Sequence, residues 1–107
     1  MQHIRAHSPE EVIWKWEVNL VDDVEIVVPQ GTRFLPHVMV TPNGVVSLWG
    51  IVTPGNVPVT RRVFMRGTGH TFNEMVGAGY LATATTNVPE GLRVLHVFVD
   101  PGERVIS

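Results

Sequence analysis

From Val12 to Leu20 the chain alternates strictly. Trp14, Trp16, Val18 and Leu20 fall on one side, and Ile13, Lys15, Glu17 and Asn19 on the other. A period of two collects the apolar set onto one face of a strand, whereas a helix would scatter it, so a first β-strand is predicted here. Asp22-Asp23 ends it, and Val24, Ile26 and Val28 form a second run stopped by the turn sequence Pro29-Gln30-Gly31. The third run, Arg33 to Thr41, contains Pro36, which cannot donate to a ladder and so points to an edge position or a bulge. Thr41-Pro42-Asn43-Gly44 is the strongest hairpin signal, because Asn-Gly tolerates the positive φ of tight hairpins. The return strand is Val45 to Thr53, and Pro54-Gly55-Asn56 turns again.

A fifth strand, Val57 to Arg66, puts Val57, Val59, Val63 and Met65 on one face and Thr60, Arg62, Phe64 and Arg66 on the other. Gly67-Thr68-Gly69-His70 breaks the pattern, and residues 71–79 read as a short loop with one helical turn around Asn73-Glu74-Met75. Tyr80 to Thr86 and Leu92 to Val99 are two further strands separated by a turn over 87–91, and Asp100-Pro101-Gly102 closes the series. About seven short strands with close turn signals predict an all-β fold. The expected architecture is a small antiparallel β-sandwich or barrel with at most one short helical turn.

The length, 107 residues, suits one core and not two, so a single β domain is expected over 1–107, with an irregular lead-in at 1–11 and a short tail at 100–107. Apolar residues make up 44% and charged residues 17%, a globular balance. The formal charge of −2 lacks the basic excess of a dedicated nucleic-acid binder. With no cysteine, disulfides, thiolate metal sites and cysteine nucleophiles are excluded. No apolar run approaches a membrane span, and the start of the chain does not read as a signal peptide. Seven of the eight basic residues are Arg, which a GC-rich coding genome explains without any function.

The most unusual local feature is Gly67-Thr68-Gly69-His70. Two glycines permit a sharp turn with consecutive N–H groups exposed, the ingredient of an anion-binding nest. Thr68 adds a hydroxyl, His70 a ring, and Arg62 and Arg66 approach from the preceding strand. The candidate ligand-binding set is therefore Arg62, Arg66, Gly67, Thr68, Gly69 and His70. A Rossmann or P-loop fingerprint is not matched, for want of a following helix and of the P-loop lysine. A Gly-Thr-Gly segment standing alone is more often a plain connection. The histidines at 3, 7, 37, 70 and 96 show no paired ligand spacing, so neither metal nor cofactor is expected; His96, inside a strong strand, reads as a hydrogen-bonded core or sheet-surface residue. Ser8, Ser47 and Ser107 sit on no nucleophile elbow, and the adjacent acids Glu10-Glu11 and Asp22-Asp23 point to opposite faces, so an enzyme is not expected.

In order, Ile13-Trp14-Lys15-Trp16, Pro29-Gln30-Gly31-Thr32, Leu48-Trp49-Gly50, Gly67-Thr68-Gly69-His70, Tyr80-Leu81-Ala82-Thr83 and His96-Val97-Phe98 make a series. It resembles a family of short bacteriophage and prophage proteins described as a domain of unknown function, over roughly residues 12 to 99. The resemblance implies a phage origin, a compact β fold and weight on the Gly67–His70 loop, but no activity. Relatives tend to stop soon after the His-Val-Phe segment, so the tail from Val99 onward reads as an extension suited to a contact they lack. The function expected is a phage-encoded accessory binder in the infected bacterial cytoplasm. Its partner would be a host or phage protein or a small anionic, nucleotide-like ligand, with homo-oligomerisation through the first-strand tryptophans as a further expectation. The alternatives are a virion component, such as a capsid decoration, and an enzyme of unknown type.

Overall fold

A computed structural model of the chain describes residues 10–70 and 78–106. The strands are β1 (Val12–Asn19), β2 (Asp23–Pro29), β3 (Arg33–Val40), β4 (Val45–Val52), β5 (Pro58–Gly67), β6 (Gly79–Val88), β7 (Gly91–Val99) and β8 (Arg104–Val105). They form two antiparallel sheets. One has three strands in the order β1-β4-β3; the other has five, in the order β2-β5-β7-β6 with β8 beside β5. The all-β expectation of about seven strands holds, with eight among the described residues. The helical turn expected around Asn73-Glu74-Met75 lies outside the described residues.

Alternation decides which side chains meet between the sheets. Trp16 and Val18 of β1 and Leu20 just after it pack against a buried set that includes Val46 and Leu48 of β4, Val59, Val63 and Met65 of β5, and Leu95, Val97 and Val99 of β7. Val57 lies outside this set, exposed just before β5 begins. Pro36 is where a proline can be borne: β3 is an edge strand, and its register against β4 shifts between Phe34 and Val38.

The Leu48-Trp49-Gly50 motif is explained by packing. Gly50 is opposite Trp14 in the β1 register, and a Cβ built on it comes within 3.0 Å of the Trp16 ring and 3.1 Å of the Thr32 methyl. The missing side chain is the seat of the indole. Gly50→Ala is expected to destabilise the domain by about 1–3 kcal/mol, because a well-packed ring must shift to admit a methyl. A chemical-denaturation midpoint that does not fall would show the indole to be loosely held.

The turns use glycine where φ must be positive. Gly31 (φ 82) is the third residue of a turn closed by Thr32 N–H donating to the Pro29 carbonyl at 3.2 Å, the pattern of a type II turn. The 41–44 hairpin differs in detail from the expected Asn-Gly pair. Gly44 N–H donates to the Thr41 carbonyl at 3.0 Å, and only Gly44 has positive φ (87). Pro42 and Asn43 therefore occupy the centre of a type I turn, and Gly44 supplies the left-handed residue after it.

The segment after Val99 folds back as an integral part of the sheet. Arg104 and Val105 pair with Thr60 and Val59, and Asp100 N–H donates to the Arg62 carbonyl at 3.0 Å. The Glu103 carboxylate accepts from Gly31 N–H at 2.6 Å. At the centre is Arg61, which shares the inward parity of Val59 and Val63 and is 9% exposed. Its Nε donates to the Asp100 carbonyl at 2.8 Å and its Nη1 to the Thr32 carbonyl at 3.3 Å, while the guanidinium lies 5.2 Å from the Phe34 ring centre. Burial pushes the Arg61 pKa down, and the nearby Glu103 and Asp100 carboxylates pull it back up. The side chain remains a cation at neutral pH.

Candidate functional site

The Gly67–His70 loop is a type II turn. His70 N–H donates to the Gly67 carbonyl at 3.1 Å, Gly69 has φ 91, and no described residue other than glycine has positive φ. The His70 ring folds back over Gly67, whose N–H donates to His70 Nδ1 at 3.2 Å. A Cβ on Gly67 would stand 3.2 Å from the His70 ring, so glycine is what lets the imidazole lie flat there. Two of the loop's four N–H groups are thereby used by the loop itself. At most those of Thr68 and Gly69 remain for a ligand, fewer than a phosphate-cradling nest presents.

Thr68 instead joins a polar chain on the outer face of the five-stranded sheet. Its Oγ1 is 2.9 Å from His96 Nε2, His96 Nδ1 is 3.0 Å from Thr83 Oγ1, and Thr83 Oγ1 is 2.7 Å from the Tyr80 hydroxyl. In neutral His96 one ring nitrogen donates and the other accepts, so one of the two threonine hydroxyls donates to the ring. A hydroxyl, not a carboxylate, stands behind the imidazole. These contacts fix the orientation of the Thr68 hydroxyl on the sheet surface. His96 is thus a hydrogen-bonded sheet-surface residue.

The two arginines of the expected set have described partners outside this loop. Arg62 pairs with Asp23, which raises its pKa chiefly through the hydrogen bond between them, and its guanidinium lies 4.9 Å from the Phe64 ring centre. Arg66 is buried, and its Nη1 donates to the carbonyls of Asp22 and Met65. Since Met65 N–H also donates to the Asp22 carbonyl at 3.0 Å, Arg66 and β5 together clamp the β1–β2 corner.

That corner and the loop enclose a cavity of about 480 Å³ at one end of the sandwich. Leu20, Met65 and Leu95 give it an apolar floor; Thr68 and His70 stand on one side and Asp22 and Arg93 on the others. Gly67, Thr68 and His70 of the expected set line it, whereas Arg62 and Arg66 do not. Asp22 and Arg93 are additions that motif reading passes over. For Arg93 the sequence does carry a signal, because it shares the inward parity of Leu95, Val97 and Val99 on β7. Among the described residues neither the Arg93 guanidinium nor the Asp22 carboxylate has a hydrogen-bond or ion-pair partner, and no three metal-ligating side chains cluster. An apolar floor ringed by a few polar groups is the usual form of a small-molecule site.

Among known proteins, the model of a domain of unknown function, DUF7352, matches residues 9–106. The match runs through the segment after Val99, so that segment lies within the family domain and is no extension of it. No curated protein and no solved structure matches.

Proposed function

We propose that this chain, which belongs to the DUF7352 family, is a non-enzymatic binding protein that takes a small ligand into the end cavity. The observation that carries this is the pairing of an apolar floor with one base, Arg93, that has no described partner. An unpaired guanidinium suits a phosphate or carboxylate, which it meets with two parallel hydrogen bonds. Asp22 on the same rim disfavours a bare anion and suits a ligand that also carries hydroxyl or amine donors. An anionic group, donors and a flat apolar body together describe a nucleotide-like molecule. In a phage-encoded protein acting in the infected cytoplasm, such a site would sequester a small host metabolite or signal, with Thr68 and His70 closing one side.

Thermal denaturation against a panel of nucleotides and inorganic polyphosphate tests this. A ligand at a hundred times its Kd is expected to add about 2.7 kcal/mol to the unfolding free energy. Arg93→Glu should abolish that shift, while Arg62→Glu should leave it. Flat responses across the panel, or a shift that survives Arg93→Glu, reject the reading.

A second reading, a virion component, has its own support. The outer face of the three-stranded sheet exposes Ile13 and Met39, and on the same face the Trp49 ring lies 5.1 Å from that of His37, tilted against it. Exposed apolar clusters of this kind suit a protein partner. Detection of the chain by mass spectrometry in purified particles would favour this reading over the first.

A further inference from the structure

β1 is an end strand of its sheet, with β4 its only neighbour there among the described residues. Edge strands invite pairing with another chain, and proteins commonly blunt them. β1 is eight residues long, unbroken by proline, and exposed at Val12, Ile13 (62%) and Trp14 (39%). Its only charges are Lys15 and Glu17, which sit on the same face 3.2 Å apart.

The ladder fixes which backbone groups this edge offers. Leu20 N–H donates to the Gly44 carbonyl, and on the far side of β4 Thr41 N–H donates to the Val45 carbonyl. By antiparallel alternation, residues 12, 14, 16 and 18 turn their N–H and C=O groups toward β4. Residues 13, 15, 17 and 19 turn theirs to the free edge. An antiparallel copy of β1 can pair only where outward residues oppose outward residues, so the two residue numbers of each pair must sum to an even number.

Among those registers, the sum of 30 sets Lys15 against Lys15 and the sum of 34 sets Glu17 against Glu17. The sum of 32 sets Lys15 against Glu17 twice, Ile13 against Asn19, Trp14 against Val18, and Trp16 against its own copy. Its overlap, residues 13–19, equals that of the sum of 30 and exceeds that of the sum of 34, so charge is what separates the two longest registers. From this juxtaposition we infer that the free edge of β1 is the docking surface for a second copy of this chain, paired antiparallel about a two-fold axis at Trp16. The Lys15–Glu17 couple acts as the register key: it repels the neighbouring registers and closes into a four-charge ring in this one. Of the other end strands, β2 carries Asp23 and Glu25 with no base of its own and ends in Pro29, β3 contains Pro36, and β6 carries no charge, so none offers such a key. The surface lies on different elements from Arg93 and the loop, and the inference is independent of the cavity.

Analytical ultracentrifugation over a broad concentration range tests it on the full chain. A dimer is expected. Lys15→Glu and Glu17→Lys should each raise its dissociation constant about tenfold or more, and the double exchange K15E/E17K should restore it. Residue-resolved amide exchange on the unmodified protein is an independent reading. At concentrations where the dimer forms, the N–H groups of Ile13, Lys15, Glu17 and Asn19 should become protected, and on dilution they should lose that protection. A monomer at every concentration overturns the inference, as does a dimer indifferent to both charge reversals or one that leaves those four amides unprotected. Pairing of β1 with another protein but not with itself overturns it equally.

Discussion

Arg61→Met is expected to lower the unfolding free energy by about 2–4 kcal/mol, a large fraction of what a domain this size possesses. Methionine fills much of the same volume, so the loss is chemical. The Thr32 and Asp100 carbonyls each lose a donor in a part-buried setting, and the Phe34 ring loses the cation above it. Glu103 and Asp100 also lose the positive charge they face. The neighbouring Arg62→Met is the control, because Arg62 lies on the outer face and its pair with Asp23 is open to water. Its denaturation midpoint should stay close to that of the unmodified protein. Urea titration separates the two: the Arg61 variant should show a lower midpoint with an unchanged slope. Equal midpoints for both variants would place the Arg61 guanidinium in solvent.

The contrast between these arginines shows what was legible in the sequence. Strand positions were, because period two and turn residues are local: Gly31 and Gly44 stop their strands for reasons visible in four residues. The cavity was half legible. Gly67, Thr68 and His70 form a visible motif, but nearness in sequence groups Arg62 and Arg66 with them, whereas in the structure one faces Asp23 and the other holds the β1–β2 corner. Arg61 and Arg93 carried a quieter signal, a charge on the inward parity of an otherwise apolar strand. Either a buried network or a cavity must satisfy such a charge, and only the packing of β3, β7 and the chain end says which. Arg61 has a network. Arg93 has a cavity. The β8 pairing was not legible, because two residues after Pro101-Gly102 have no periodicity to detect.

Ending the chain after Val99 is the more drastic test, with an expected loss of about 3–5 kcal/mol that leaves the fold marginal. The shortened protein loses the β8 ladder, the acceptor of Arg61 Nε, the Asp100–Arg62 backbone bond and the Glu103 carboxylate on Gly31 N–H. These losses do not add independently, because all four act on one corner where β5, the 29–32 turn and Phe34 meet. Glu103→Gln keeps the shape and removes only the charge of one contact, so it should cost about 1 kcal/mol, well short of the truncation. Melting curves, with amide exchange read at Gly31, distinguish the two. If the shortened chain keeps its stability but loses a partner, the segment is an accessory arm. If it unfolds or melts far lower, residues 100–106, which lie within the family match, are the latch that lets an arginine be buried between two sheets.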